Sequence, residues 1–228
     1  MESATRRLWG PIIEHLRVSQ KKGVDAMWKC TNCHHVGLTE DRPLRCPVCG
    51  ADAEKLAPHE VPGIKGAKTL GNLKAGFVAE SQAHQRNLAF AFKAEQEDYA
   101  QVAKLFRAIA EAEGIHAFNH LRLLGGVSDT QENLEAAFER ENLASKTYPQ
   151  FIKEANEEEN TSVAKIFSYS RDVEAGHAKL YKKALEHMVQ EADTKYYVCG
   201  VCGYVSDGEL PEQCPICGAP KEKFRSIA

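Results

Sequence analysis

Six residues of this 228-residue chain have the types and the spacing to hold a pair of metal ions. Glu113-x-x-His116 and Glu174-x-x-His177 each set a carboxylate and an imidazole three residues apart, and on a helix positions i and i+3 share a face. About one Glu-x-x-His match is expected by chance in a chain of this composition, so a single match means little. Here there are two, and each follows a lone glutamate by the same interval: Glu80 precedes the first and Glu141 the second. Four carboxylates and two imidazoles suit two adjacent first-row ions, with oxygens to bridge and neutralise charge and one nitrogen for each metal. The bland alternative is a set of surface acids or inter-helix ion pairs. It weighs less, because four carboxylates facing a core without cations repel one another and are costly to desolvate.

The elements that must position these residues are legible in the same stretch. From about Thr69 to Glu191 Ala, Leu, Glu, Lys and Gln dominate, which predicts helices near 69–94, 98–124, 130–156 and 160–191. Asp129 and Glu132 have capping-box spacing at the start of the third. An internal repeat organises the four. Asn72-Leu73-x-Ala75-x-Phe77-x-x-Glu80 recurs as Asn133-Leu134-x-Ala136-x-Phe138-x-x-Glu141, and Phe106 before Glu113-x-x-His116 recurs as Phe167 before Glu174-x-x-His177. Two helix hairpins of one design therefore face each other in a pseudo-two-fold bundle. One Glu from each of two helices plus a Glu-x-x-His from each of the other two is the ligand rule of ferritin-like di-metal bundles. Glu80, Glu113, His116, Glu141, Glu174 and His177 are accordingly the expected ligands, and also the catalytic set. His84 and His120, each one turn from a ligand, read as neighbours of the site. Tyr148 is either a hydrogen-bonding or electron-donating phenol near the metals or plain packing. Phe77, Phe106, Phe138 and Phe167 read as core around the site.

All eight cysteines lie at the two ends. Cys199-x-x-Cys202 with Cys214-x-x-Cys217, and Cys30-x-x-Cys33 with Cys46-x-x-Cys49, are paired knuckles that close tetrahedrally on one ion each. Spacing alone leaves zinc and iron open.

Cys199-Gly-Val-Cys202-Gly203-Tyr204 with Cys214-Pro215-Ile-Cys217-Gly218 and Phe224 resembles rubredoxin. A ferritin-like di-iron bundle followed by such a module resembles rubrerythrin, as do Glu80-Ser81-Gln82-Ala83 and Tyr148-Pro149. The resemblance spans about Thr69 to Ala228. It implies a di-iron centre, a mononuclear iron in the C-terminal four-cysteine site, and peroxidase activity on hydrogen peroxide. It further implies a separate NAD(P)H-dependent reductase or a rubredoxin as electron donor, and a homodimer. The N-terminal module also resembles rubredoxin and holds iron or zinc, but has His34-His35 where Gly-Tyr is usual. Two further departures fall in the bundle: Ala144 stands where many rubrerythrins have an additional carboxylate, and Asn87 where a tyrosine is frequent.

The expected organisation is a leader of unknown role at 1–26, an N-terminal rubredoxin-like module at 27–57, a linker at 58–68, the ferritin-like bundle at 69–191 and a C-terminal rubredoxin-like domain at 195–228. Leu8, Trp9, Ile12, Ile13 and Leu16 fit a short amphipathic helix in the leader, and Met27 has the look of an alternative start. Net charge of −3 gives no reason to expect nucleic acid or an anionic membrane, and no apolar run approaches a membrane span. Without a signal-peptide core the expected address is cytoplasmic, where thiols stay reduced and cysteines read as metal ligands. Two competing readings are a ferroxidase or iron-storage protein and a scaffold carrying structural zinc ribbons.

Overall fold

A computed structural model describes residues 27–37, 42–59, 61, 63–186 and 194–227. The expected leader, residues 187–191 of the expected fourth helix and most of the stretch before the C-terminal module lie outside the described residues. Four long helices carry the centre of the chain: α1 (Ala67–Gln96), α2 (Ala100–Leu123), α3 (Thr130–Glu157) and α4 (Thr161–Glu186). Their starts and ends fall within a few residues of those the sequence predicts. Asp129 Oδ1 accepts from the Glu132 amide at 2.9 Å, capping α3 at the expected place. α3 runs through Pro149, whose missing N–H and ring would break an unsupported helix. Beside it Tyr148 and Phe151 pack on Phe167 of α4, with ring centroids 5.9 and 5.8 Å apart.

α1 packs against α2 and α3 against α4, so each half of the repeat is a helical hairpin. Small residues let the backbones approach: Ala103 and Ala110 in α2, and Ala164 and Ala178 in α4, are buried. The repeat extends to aromatic contacts. Phe90 meets Phe106 edge-on at 5.5 Å, and Phe151 meets Phe167 at the equivalent place in the second hairpin.

Each end of the chain forms a small three-stranded sheet. At the N-terminal end β1 (Trp28–Cys30) lies between β2 (Val36–Gly37) and β3 (Leu56–Pro58); at the C-terminal end β4 (Tyr196–Cys199) lies between β5 (Val205–Asp207) and β6 (Phe224–Ile227). The fold class is the expected one: four long helices with two four-cysteine knuckle modules. One expectation needs correcting. The stretch from residue 58 reads as linker, but Pro58 ends the third strand of the N-terminal sheet, the His59 amide bonds the Met27 carbonyl at 2.8 Å, and Val61 is buried. Val61 packs with Met27, Leu70 and Leu124, so its apolar side chain anchors a stretch whose Pro and Gly content suggests a loose tether.

The described residues divide into two compact units. One contains α1 and α2 with residues 27–29, 36–37 and 57–59. The other contains α3, α4, the C-terminal module and the cysteine knuckles at 30–35 and 43–56.

Candidate metal centres

The structure gathers the expected ligands into four clusters: Cys30, Cys33, Cys46 and Cys49; Cys199, Cys202, Cys214 and Cys217; Glu80, Glu113 and His116; and Glu141, Glu174 and His177. Within each cluster the candidate ligand atoms lie within 4.8 Å of one another.

The two carboxylate–imidazole triads are near copies. In α1–α2, His116 Nδ1 is 2.9 Å from Glu113 and 4.0 Å from Glu80. In α3–α4, His177 Nδ1 is 3.0 Å from Glu174 and 4.0 Å from Glu141. The second triad shows why a cation belongs there. His177 Nε2–H donates to the Gly203 carbonyl at 3.2 Å, and a carbonyl can only accept. In the neutral imidazole Nδ1 is then a bare acceptor aimed at a carboxylate oxygen. Two acceptors at that separation repel unless a proton or a metal lies between them, and a hydrogen bond at the far nitrogen is the usual way a metal-binding histidine is oriented.

The carboxylates respond in the same sense. Burial, then the neighbouring Glu174, pushes Glu141 up to about 7. Proton sharing with Glu113 raises Glu80, while Glu113 is lowered by Glu80 and then by His116. Paired acids that raise one another's proton affinity are a donor set that two oxygen-preferring iron ions fit.

The thiols form two nearly equal cages. Sγ–Sγ distances are 3.7 Å for Cys30–Cys49 and 3.6 Å for Cys33–Cys46, against 3.8 Å for Cys199–Cys217 and 3.6 Å for Cys202–Cys214. All eight cysteines are free. Bonds of about 2.3 Å from a central ion to four tetrahedral sulfurs give edges of roughly 3.75 Å, so both cages have the size of a tetrathiolate site. Backbone amides of Val201, Cys202, Tyr204 and Ala219 serve the sulfurs of the C-terminal cage, and those of His35, Val48, Cys49 and Ala51 serve the N-terminal one. Such bonds stabilise thiolate and tune the potential of a bound iron. Burial raises Cys33 and Cys202 well above the ordinary thiol range, a cost that a metal ion relieves.

The remaining candidates fall beside the triads. His84 Nδ1 meets the Ala110 carbonyl at 2.7 Å and packs on Gly114, while His120 packs on Gly76. A Cβ at Gly76 would stand 2.8 Å from the His120 ring, so that glycine keeps the helices close. Tyr148 packs against Phe151 and Phe167. Sequence reasoning overlooks Tyr181, which burial and the charges of Glu141 and Glu174 push up from its ordinary value. Its signal was available: Tyr181 lies four residues after His177 and is the repeat partner of His120. It also misses the Gly203–His177 contact, and Lys183, whose ammonium pairs with Asp207 of the C-terminal module. No helix of the described residues is long and apolar enough to cross a membrane.

A family model described as Rubrerythrin matches residues 71–132 and 132–201. One described as Rubrerythrin, rubredoxin-like domain matches residues 28–56 and 197–225. The chain is 33% identical to Rubrerythrin-2 of Clostridium acetobutylicum over 182 residues, 72% of this chain and 99% of the relative. It is also 33% identical to Nigerythrin of Nitratidesulfovibrio vulgaris over 178 residues, 68% of this chain and 85% of the relative. Among solved structures, nigerythrin in a mixed-valence state aligns at 33% identity with a TM-score of 0.43, covering 72% of this chain and 88% of that one.

Proposed function

We propose that this chain, which belongs to the rubrerythrin family, is a non-haem di-iron peroxidase that reduces hydrogen peroxide to water. In this reading electrons arrive through the tetrathiolate iron centres. The observation that carries it is the hydrogen bond from His177 Nε2 to the Gly203 carbonyl. Gly203 follows Cys202, a thiolate of the C-terminal cage, and His177 Nδ1 faces the carboxylates of the second triad. A short path of bonds thus joins a one-electron centre to a carboxylate site.

Reduction of one peroxide takes two electrons and two protons and yields two waters. When bound, the iron pair supplies the redox equivalents and a template for both oxygens. The protein's own part is to hold that pair with Glu80, Glu113, His116, Glu141, Glu174 and His177, and to orient His177 through Gly203. Each tetrathiolate cage suits single-electron exchange because its sulfurs need rearrange little. Lys183 and Asp207 pin the C-terminal module to α4 within reach of His177. Upstream electrons come from a separate NAD(P)H-dependent reductase or a rubredoxin, since the chain carries no dinucleotide-binding glycine motif.

Storage of iron needs no such electron path, which disfavours the ferritin-type reading. The test is anaerobic reduction of the full chain followed by stopped-flow mixing with hydrogen peroxide or with dioxygen. Peroxide is expected to reoxidise the protein faster; preference for dioxygen would overturn the proposal.

A further inference from the structure

A single peptide group joins the C-terminal cage to the second triad. The Tyr204 amide donates to Cys202 Sγ. The carbonyl of the same peptide, that of Gly203, accepts from His177 Nε2–H at 3.2 Å. In a trans peptide the N–H and C=O lie in one plane and point in opposite directions. Aiming the amide at the sulfur therefore aims the carbonyl away from the cage and onto α4. The knuckle steadies that plane again, because the Gly203 amide bonds the carbonyl of Cys199, another thiol of the cage, at 3.0 Å. Gly203 also lies over the turn that carries both α4 ligands: a Cβ on it would stand 3.9 Å from Val173, the residue before Glu174. Further along α4, Lys183 pairs with Asp207 at the end of β5, so the module is attached to the helix at two places.

The first triad has no counterpart of this brace. His116 Nδ1 meets Glu113 at 2.9 Å much as His177 Nδ1 meets Glu174 at 3.0 Å. Among the described residues, however, none bonds His116 Nε2, and its side chain is 55% exposed against 23% for His177. The difference acts on metal binding. An imidazole takes a cation through Nδ1 only with its proton on Nε2 and its ring turned toward the carboxylates. In the second triad the Gly203 carbonyl selects both in advance; in the first, the ion must impose them. Removing a hydrogen-bonding partner of this kind weakens a metal site by about 10–100-fold. The coupling also runs the other way. A cation on Nδ1 makes Nε2–H a stronger donor and tightens its bond to Gly203. Linkage makes the two factors equal.

We infer that the C-terminal module is an assembly element for the second triad: closing its cage on a metal tightens the hold of Glu141, Glu174 and His177 on iron(II), and the two triads load in order, second before first. The inference rests on reading those residues as metal ligands and is independent of the peroxidase chemistry. Four thiolates gather into a cage only around their ion, so an empty cage leaves the Gly203–Tyr204 peptide unfixed. A chain without its tetrathiolate metal then holds the second-triad ion weakly, and iron does not collect in a bundle that has no electron centre beside it.

The test uses the full chain with filled cages and metal-free triads, titrated anaerobically with iron(II) against a competing chelator. Bundle iron is counted above the tetrathiolate content. Wild type should load in two steps, with Glu174→Ala removing the tighter and Glu113→Ala the weaker. In Cys199→Ser with Cys217→Ser the tighter step should weaken about 10–100-fold, and in Asp207→Asn a few-fold, while the weaker step is unchanged. A single step in wild type, an unchanged tighter step in the cage variant, or equal weakening of both steps would overturn the inference. A second measurement does not depend on variants folding. One equivalent of iron(II) added to wild type should slow amide hydrogen exchange over residues 196–207 and leave residues 28–37 unchanged. No slowing at 196–207, or equal slowing in both modules, would also overturn it. Absence of bundle iron in every protein would remove the ligand assignment and the inference together. Ordered loading in a protein that fails to react with peroxide would sustain the inference and remove only the peroxidase reading.

Discussion

The two four-cysteine modules have cages of the same size and attach to their surroundings by different chemistry. In the C-terminal module Gly203 follows the second cysteine with φ +84°, and its carbonyl meets His177. In the N-terminal module His34 holds the same position, also in the left-handed region at φ +55°. There the side chain does the docking: His34 Nε2 is 2.8 Å from Glu135, and Nδ1 is 3.6 Å from Glu132, both on α3. One module touches His177 of the second triad through backbone, and the other touches the start of a helix through a side chain. The contrast teaches that a shared cage size does not fix what a module touches; in both modules the residue after the second cysteine makes the contact.

Breaking the cages should give the largest difference. Cys202→Ser with Cys214→Ser is expected to cut peroxidase turnover about 100-fold or more, since it removes the one-electron centre next to His177. Cys33→Ser with Cys46→Ser should cost much less, as checked by steady-state turnover with a common reductant. Equal losses would show that both modules feed the same ligand. Gly203→Ala sharpens the comparison without removing the metal. A Cβ there meets nothing closer than 3.9 Å from Val173, but the positive φ resists a side chain. Displacing the carbonyl should slow reduction of the carboxylate site by roughly 10-fold, with the red tetrathiolate spectrum unchanged.

Asp207→Asn probes the clasp between the C-terminal module and α4, with a few-fold loss of turnover expected. Lys183 holds Asp207 below the ordinary aspartate range. A depressed carboxyl contributes stability at neutral pH that is lost as pH falls through its lowered value. Asp207 in turn holds Lys183 above its ordinary value, so the clasp also weakens at strongly alkaline pH. Turnover of Asp207→Asn should therefore match wild type more closely in acid than at neutrality. His34→Gly should change stability least. It relieves a left-handed non-glycine residue, worth about 1–2 kcal/mol, and loses partly exposed side-chain contacts to Glu132 and Glu135 worth about 0–1 kcal/mol. Thermal melts should show no destabilisation, while hydrogen exchange in the N-terminal knuckles should quicken.

The helices and both triads were legible because their signals are local and repeated. The common spacing from Glu80 to Glu113 and from Glu141 to Glu174 carries the hairpin geometry, and helical periodicity puts each Glu-x-x-His on one face. Tyr181 could have been found by extending that periodicity by one more turn. The contacts of Gly203 with His177 and of His34 with Glu135 join parts distant in sequence, and nothing in local pattern encodes them. The His34-His35 departure was visible, but its docking role was not.

The most direct test follows the red absorbance of the C-terminal tetrathiolate iron after the reduced protein is mixed with hydrogen peroxide. In wild type it should return quickly, and in a Glu113→Ala, Glu174→Ala double variant about 100-fold more slowly, because electrons then lack the carboxylate site through which they reach peroxide. Equally fast return in both proteins would contradict the account.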